Sequence, residues 1–178
     1  QDGFRVANTM GHLMQQALIG GQLVYPHMND DWHPDAARLK SLLELVADIS
    51  KREGHILAPS IDLGGMLVVA GNEEGLKAFE NAVDVIQGRF PMRLGNHAAF
   101  HTSLQTPVAA EGRSKLSADL FKQPAIPMID GRGKIWWPDQ ETPQDLWQYT
   151  LNHQVVEMYD FTNAIRIAAR EFAPDYFI

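Results

Sequence analysis

Three observations predict a mixed α/β protein. From Gly21 to Leu94 the apolar patterns follow the order β-α-β-β-α-β. Helices and short strands keep alternating after that point, as in an α/β unit. Met66-Leu67-Val68-Val69-Ala70-Gly71 is a continuous apolar run of the kind that forms strands buried on both faces. The β-α-β-β-α-β order is the ferredoxin-like one.

In residues 2–19, Phe4, Val6, Met10, Leu13 and Met14 approximate a helical stripe, which Gly20-Gly21 ends. Residues 22–26 read as a short strand and 29–35 as a polar loop, with Pro34 suited to a first helical turn. The second helix runs to about Arg52 on Leu39, Leu42, Leu43, Leu45, Val46 and Ile49. Residues 55–60 are extended, Gly64-Gly65 is a turn, and 66–71 is the clearest strand. Asn72 caps a third helix with Leu76, Phe79, Ala82, Val83 and Ile86 inward. Residues 89–94 form the next strand, with Phe90, Met92 and Leu94 alternating. Thr106 is predicted to cap a helix reaching Leu120. Residues 127–130 and 134–137 are extended about a Gly131-Arg132-Gly133 turn, Trp136-Trp137 reading as an edge strand. Pro143 opens a helix to about His153, and Asp160 caps another with Ile165, Ile167, Ala168 and Phe172 inward. Tyr176-Phe177-Ile178 would start a strand. A start inside a helix and an end inside a strand predict an internal piece of a longer chain.

A 45% hydrophobic content over 178 residues is enough for a real core. The net charge of -7, dispersed along the chain, argues against a nucleic-acid partner. There is no apolar run long enough for a membrane span and no charged-then-apolar leader, so cytoplasm is the default expectation. Absence of cysteine excludes disulfides, thiolate metal sites and a cysteine nucleophile. His97 and His101 have metal-compatible spacing but no third ligand, and His33 with Asp30 and Asp31 reads as a solvated loop. The glycine pairs lack nucleotide-binding spacing. Neither a metal nor a resident cofactor is expected.

The most informative stretch is residues 96–107, which sets His101 between an extended segment and a helix start. A histidine held there can act as a general base, because its pKa lies near working pH. Phe100-His101-Thr102-Ser103-Leu104 resembles the catalytic histidine segment of the malonyl-CoA:acyl-carrier-protein transacylase family. Residues 63–71 resemble that family's N-x-P-x-Q-x-V-x-S-G strand in the apolar run and final glycine, with Asp62 and Met66 where amides usually stand. Gln154-Val155-Val156-Glu157-Met158-Tyr159-Asp160-Phe161 resembles its Q-x-x-x-P-V-x-W stretch. Each motif alone is weak; order and spacing carry the likeness over nearly the whole chain.

The resemblance implies an α/β-hydrolase-like large domain, here incomplete, with a ferredoxin-like small subdomain inserted in it. Residues 21–94 would be the insertion, and 1–20 with 95–178 parts of the large subdomain. It implies ping-pong transfer of an acyl group from acyl-CoA to the phosphopantetheine thiol of acyl carrier protein, in fatty acid or polyketide biosynthesis. The substrates would be the only small molecules required. His101 would be the base, oriented by the backbone carbonyl of Glu157. The family's nucleophile elbow would lie upstream, since none of Ser41, Ser50, Ser60, Ser103, Ser114 and Ser117 sits in a G-x-S-x-G setting. The chain alone would then be inactive. Met10, His97 and Phe100 would line the substrate site. The family usually has an arginine in R-L-V-x-x-R-G that grips the malonyl carboxylate; here Arg5-Val6-Ala7-Asn8-Thr9-Met10-Gly11 puts Met10 in its place. A neutral acyl group is the corresponding expectation, unless Arg93 or His97 supplies the cation. The alternative is a non-catalytic scaffold or carrier-protein docking module that keeps the fold.

Overall fold

The computed structural model describes residues 2–178. Its first helix, α1 (Asp2–Ala17), leads through Gly20 into β1 (Gly21–Pro26). Gly20 sits at φ +69°, and a Cβ there would come within 2.8 Å of the Ala99 methyl, so only glycine fits this crossing. There follow α2 (Ala36–Ser50), β2 (Leu57–Asp62), β3 (Met66–Gly71), α3 (Glu73–Ala82) and β4 (Met92–Arg93). These elements give the expected β-α-β-β-α-β order. With a later strand, β7 (Tyr159–Asp160), they build a five-stranded sheet in the order β4-β1-β3-β2-β7. Neighbouring strands among the first four are antiparallel, and β7 runs parallel to β2.

Strand alternation decides what each face of this sheet meets. Leu23 pairs with Val69 and Tyr25 with Leu67, on the face covered by α2 and α3, where the Tyr25 and Phe79 rings meet edge to face at 5.8 Å. Leu42, Val46 and Ile49 of α2 and Leu76 and Phe79 of α3 complete that core. Gln22, paired with Ala70, lies on the opposite face. Asp35 caps α2 through Ala37 and Arg38 N–H, and Asn72 caps α3 through Gly75 N–H. Asn29, not the acidic pair Asp30-Asp31, holds the preceding loop, accepting from the backbone of Asp31 and His33.

The second half is largely helical. A 3₁₀ turn (Ser103–Gln105) runs into α4 (Thr106–Lys115), and another (Ala118–Leu120) precedes the hairpin of β5 (Met128–Ile129) and β6 (Ile135–Trp136). Then α5 (Pro143–Gln148) widens into a π turn (Tyr149–His153) and ends in α6 (Gln154–Val156). After β7, α7 spans Phe161–Phe172, capped by Asp160. A second apolar cluster joins Met10 and Leu13 of α1 to Val108, Ala109, Leu116, Leu151 and Val155.

Several expectations are corrected. The third helix stops at Ala82, because Ile86 turns back to pair with Phe90 across Gln87 and Gly88, both at positive φ. That turn also shortens the strand expected over 89–94, and Pro91 offers no N–H to the ladder. Thr106 opens α4 rather than capping it, its hydroxyl donating to the Ser103 carbonyl at 2.7 Å. The helix expected to reach Leu120 breaks at Leu116, which turns extended to bury its side chain. On α7 only Ala164 is buried, with Ile165 and Phe172 exposed. Residues 176–178 form no strand and pair with none of the described strands. Trp136 is buried with its indole N–H on Asp130, whereas Trp137 is exposed. No described helix is long and apolar enough to cross a membrane.

Candidate active site

The segment from Gly95 to Thr102 crosses the open face of the sheet and is pinned along its length. Ala98 and Ala99 are fully buried. The Ala99 N–H donates to the Ile19 carbonyl at 2.8 Å, and the Thr102 hydroxyl donates to the Ala99 carbonyl at 2.7 Å. Gln105, also buried, reaches the Ile19 carbonyl with its amide nitrogen. Between these anchors His101 adopts φ +57°, a left-handed conformation uncommon for a non-glycine residue.

The imidazole is mostly buried, with its Nδ1 2.6 Å from the backbone carbonyl of Gln154. A carbonyl can only accept, so Nδ1 carries the hydrogen, and the lone pair of the neutral ring sits on Nε2. Burial pushes the pKa of His101 below its ordinary value, against the opposing pull of the Gln154 carbonyl. The ring is therefore neutral near pH 7, with Nε2 free to take a proton.

This pairing corrects the expectation for Glu157. Its own N–H returns to the His153 carbonyl at 2.9 Å and its carboxylate lies 3.1 Å from His153 Nδ1. The reason is the helix end: α6 stops at Val156 and Glu157 is extended. The last carbonyls of a helix have no following turn to serve, which leaves that of Gln154 available to His101. Gln154 opens the stretch singled out in the sequence and lies two residues before the end of α6 at Val156.

His101 borders a cavity of about 570 Å³. Val6, Met10 and Met14 of α1 form one wall, Leu120 and Phe121 a second, and Thr150, Gln154 and Val155 a third, with Phe100 beside the histidine. The structure thus brings Met10, Phe100 and His101 together. It places His97 elsewhere: exposed, outside the cavity lining, with Nδ1 2.7 Å from Gln22 Oε1. Arg93 is not available as a substitute cation, because Glu80 at 2.6 Å and Glu73 at 3.1 Å hold its guanidinium. Among the described lining residues the one lysine or arginine is Lys122, whose Nζ is at the surface 3.9 Å from Asp2. No serine is among them.

No family model matches the chain, and no curated protein does. Solved structures do resemble it. The acyl-carrier-protein S-malonyltransferase of Burkholderia pseudomallei superposes with a TM-score of 0.71 at 19% identity, over 96% of this chain and 52% of that one. The acyl carrier protein S-malonyltransferase of Vibrio cholerae gives a TM-score of 0.70 at 21% identity, over 93% of this chain and 51% of that one. A malonyl-transacylase solved in complex with its type II polyketide synthase acyl-carrier protein gives 0.71 at 18% identity, over 94% and 51%. The chain thus has the fold of malonyl-CoA:acyl-carrier-protein transacylases, and it spans about half the length of those structures.

Proposed function

We propose that the chain forms the histidine-bearing part of an acyltransferase that moves an acyl group from coenzyme A to the phosphopantetheine thiol of an acyl carrier protein. The observation that carries this is His101, neutral, held in one tautomer by the Gln154 carbonyl, at the edge of an apolar cavity. The likeness to transacylase structures supports it, as does the 4-1-3-2 strand order of β1–β4, which suits a ferredoxin-like unit over 21–94 inserted in an incomplete α/β-hydrolase-like domain. The first apolar cluster lies wholly within 21–94 and the second wholly outside it.

In the proposed chemistry a serine from outside this chain attacks the thioester carbonyl while His101 Nε2 takes its proton. The C–S bond breaks, and the proton passes to the departing coenzyme A sulfur. The carrier thiol then gives its proton to Nε2 and attacks the serine ester, and the serine oxygen leaves with that proton. By this route the chain alone transfers nothing. The acyl group is neutral, because a carboxylate in this cavity would face Met10 where the resemblance expects arginine, and burying it unpaired costs on the order of several kcal/mol.

The test is acyl transfer by a polypeptide that joins this chain to the serine-bearing half, with acyl-CoA and holo carrier protein, read by mass spectrometry of the carrier. Acylated carrier that disappears with His101→Ala is expected. Carrier binding without transfer would leave the docking-module alternative in its place.

A further inference from the structure

The sheet carries a polar chain that neither the cavity nor the proposed chemistry uses. The Ser60 hydroxyl, fully buried, donates to the Phe100 carbonyl at 2.8 Å. Its oxygen accepts from Gln22 Nε2 at 2.7 Å, and Gln22, 2% exposed, turns its Oε1 to His97 Nδ1 at 2.7 Å. The donor direction is determined throughout. The Phe100 carbonyl can only accept, so Ser60 must donate to it. Ser60 then has its lone pairs for Gln22, whose amide nitrogen must face it, and the amide oxygen requires an N–H from His97.

Backbone geometry adds an independent observation. In the β2–β3 ladder Pro59 pairs with Val69 and Ile61 with Val68, so Ser60 is the extra residue of a β-bulge. Bulges re-aim a side chain out of the ladder, and this one sends a hydroxyl to the loop that ends in His101. The Phe100 carbonyl shares a peptide plane with the His101 nitrogen. Holding that carbonyl fixes the plane about which the left-handed φ of His101 is measured.

We propose that Ser60 and Gln22 are positioning residues for His101: the one-way chain His97–Gln22–Ser60 clamps the Phe100 peptide and so holds the imidazole on the Gln154 carbonyl. The proposal uses the acyltransferase reading only for its catalytic consequence, and its test needs no substrate.

The test is ring-nitrogen NMR of His101 and His97 in the whole chain. In the unaltered protein both rings should show the Nδ1–H tautomer when neutral. An Nε2–H tautomer at His97 would contradict the donor direction and overturn the proposal. Ser60→Ala removes the clamp, and Gln22→Glu, nearly isosteric, replaces the donor to Ser60 with an acceptor and turns the hydroxyl away from Phe100. In each, His101 should lose its single-tautomer pattern for an averaged one, and its titration should move up toward the ordinary histidine value as the ring loosens. Val46→Ala, on α2 in the core of the opposite sheet face, should lower stability while leaving the His101 signals in place. Unchanged His101 signals in either folded variant, or equal disturbance by Val46→Ala, would overturn the proposal. If Ser60→Ala or Gln22→Glu does not fold, the His101 signals of the other decide, and unchanged signals there overturn the proposal.

Discussion

His101 combines three properties that residues seldom share: a left-handed backbone, a half-buried ring and a single defined tautomer. Each is adverse or neutral for stability, and together they suit a base that must be neutral and aimed. In the joined polypeptide, His101→Ala should slow formation of the acyl-enzyme by about 10²–10⁴-fold, the usual scale for loss of a general base, as single-turnover acylation would measure. Because burial lowers its pKa, the acid limb of kcat/KM should fall below the ordinary histidine value of 6.5, and a limb above it would remove His101 from the base role. Met10 makes the other residue-scale prediction. One bidentate charge-assisted pair is worth about 1.5–3 kcal/mol, so Met10→Arg should raise preference for malonyl-CoA over acetyl-CoA by about 10–150-fold in a competition assay. Strong malonyl preference in the unaltered protein would count against the apolar reading of the cavity. His101 and Met10 were both legible in the sequence, because each stands at a fixed place in an ordered pattern. Ser60 and Gln22 were not: a bulge is a local break in alternation, and nothing in six extended residues says which one is extra.

At the scale of elements, the helix from Pro143 to Val156 matters most to the site. Its start is a capping box, with the Thr142 hydroxyl accepting from the Asp145 N–H while the Asp145 carboxylate takes the Thr142 N–H and hydroxyl. Its middle widens into a π turn, and its end leaves the Gln154 carbonyl for His101. Thr142→Ala should cost about 1 kcal/mol by denaturant titration, the usual worth of an N-cap, and loosen the helix that carries Gln154. The start of this helix was readable from Pro143 and its neighbours. The π turn was not, since it adds a residue to a turn without altering apolar periodicity enough to show. Misplacing the orienting carbonyl at Glu157 has the same origin: the motif located the stretch, but only the helix end selects which carbonyl is free. The strands fared by their burial. Apolar β3 was legible throughout, while two-residue β4 and β7 depend on turns and partners distant in sequence.

Across the whole molecule, folding and the protonation of the His101 ring are linked, because its surroundings in the folded protein lower its pKa. The sign follows from the direction of the shift. Below the ordinary value of 6.5 an unfolded chain binds a proton at position 101 that the folded protein, with its lowered pKa, still refuses. The unfolded state is then favoured as pH falls, until the folded pKa is reached and the loss stops. The contribution is fully present above about pH 6.5 and shrinks through the interval between that value and the folded one. The chain has seven histidines, so the raw pH dependence of stability mixes several titrations. The difference between the unaltered protein and His101→Gln isolates one of them. Denaturant midpoints taken from pH 8 to pH 5 should show the unaltered protein losing more stability than His101→Gln below about pH 6.5, with parallel curves above it. Parallel curves over the whole range would mean that the ring titrates alike in both states. That result would contradict the lowering of the His101 pKa by its burial in the folded protein.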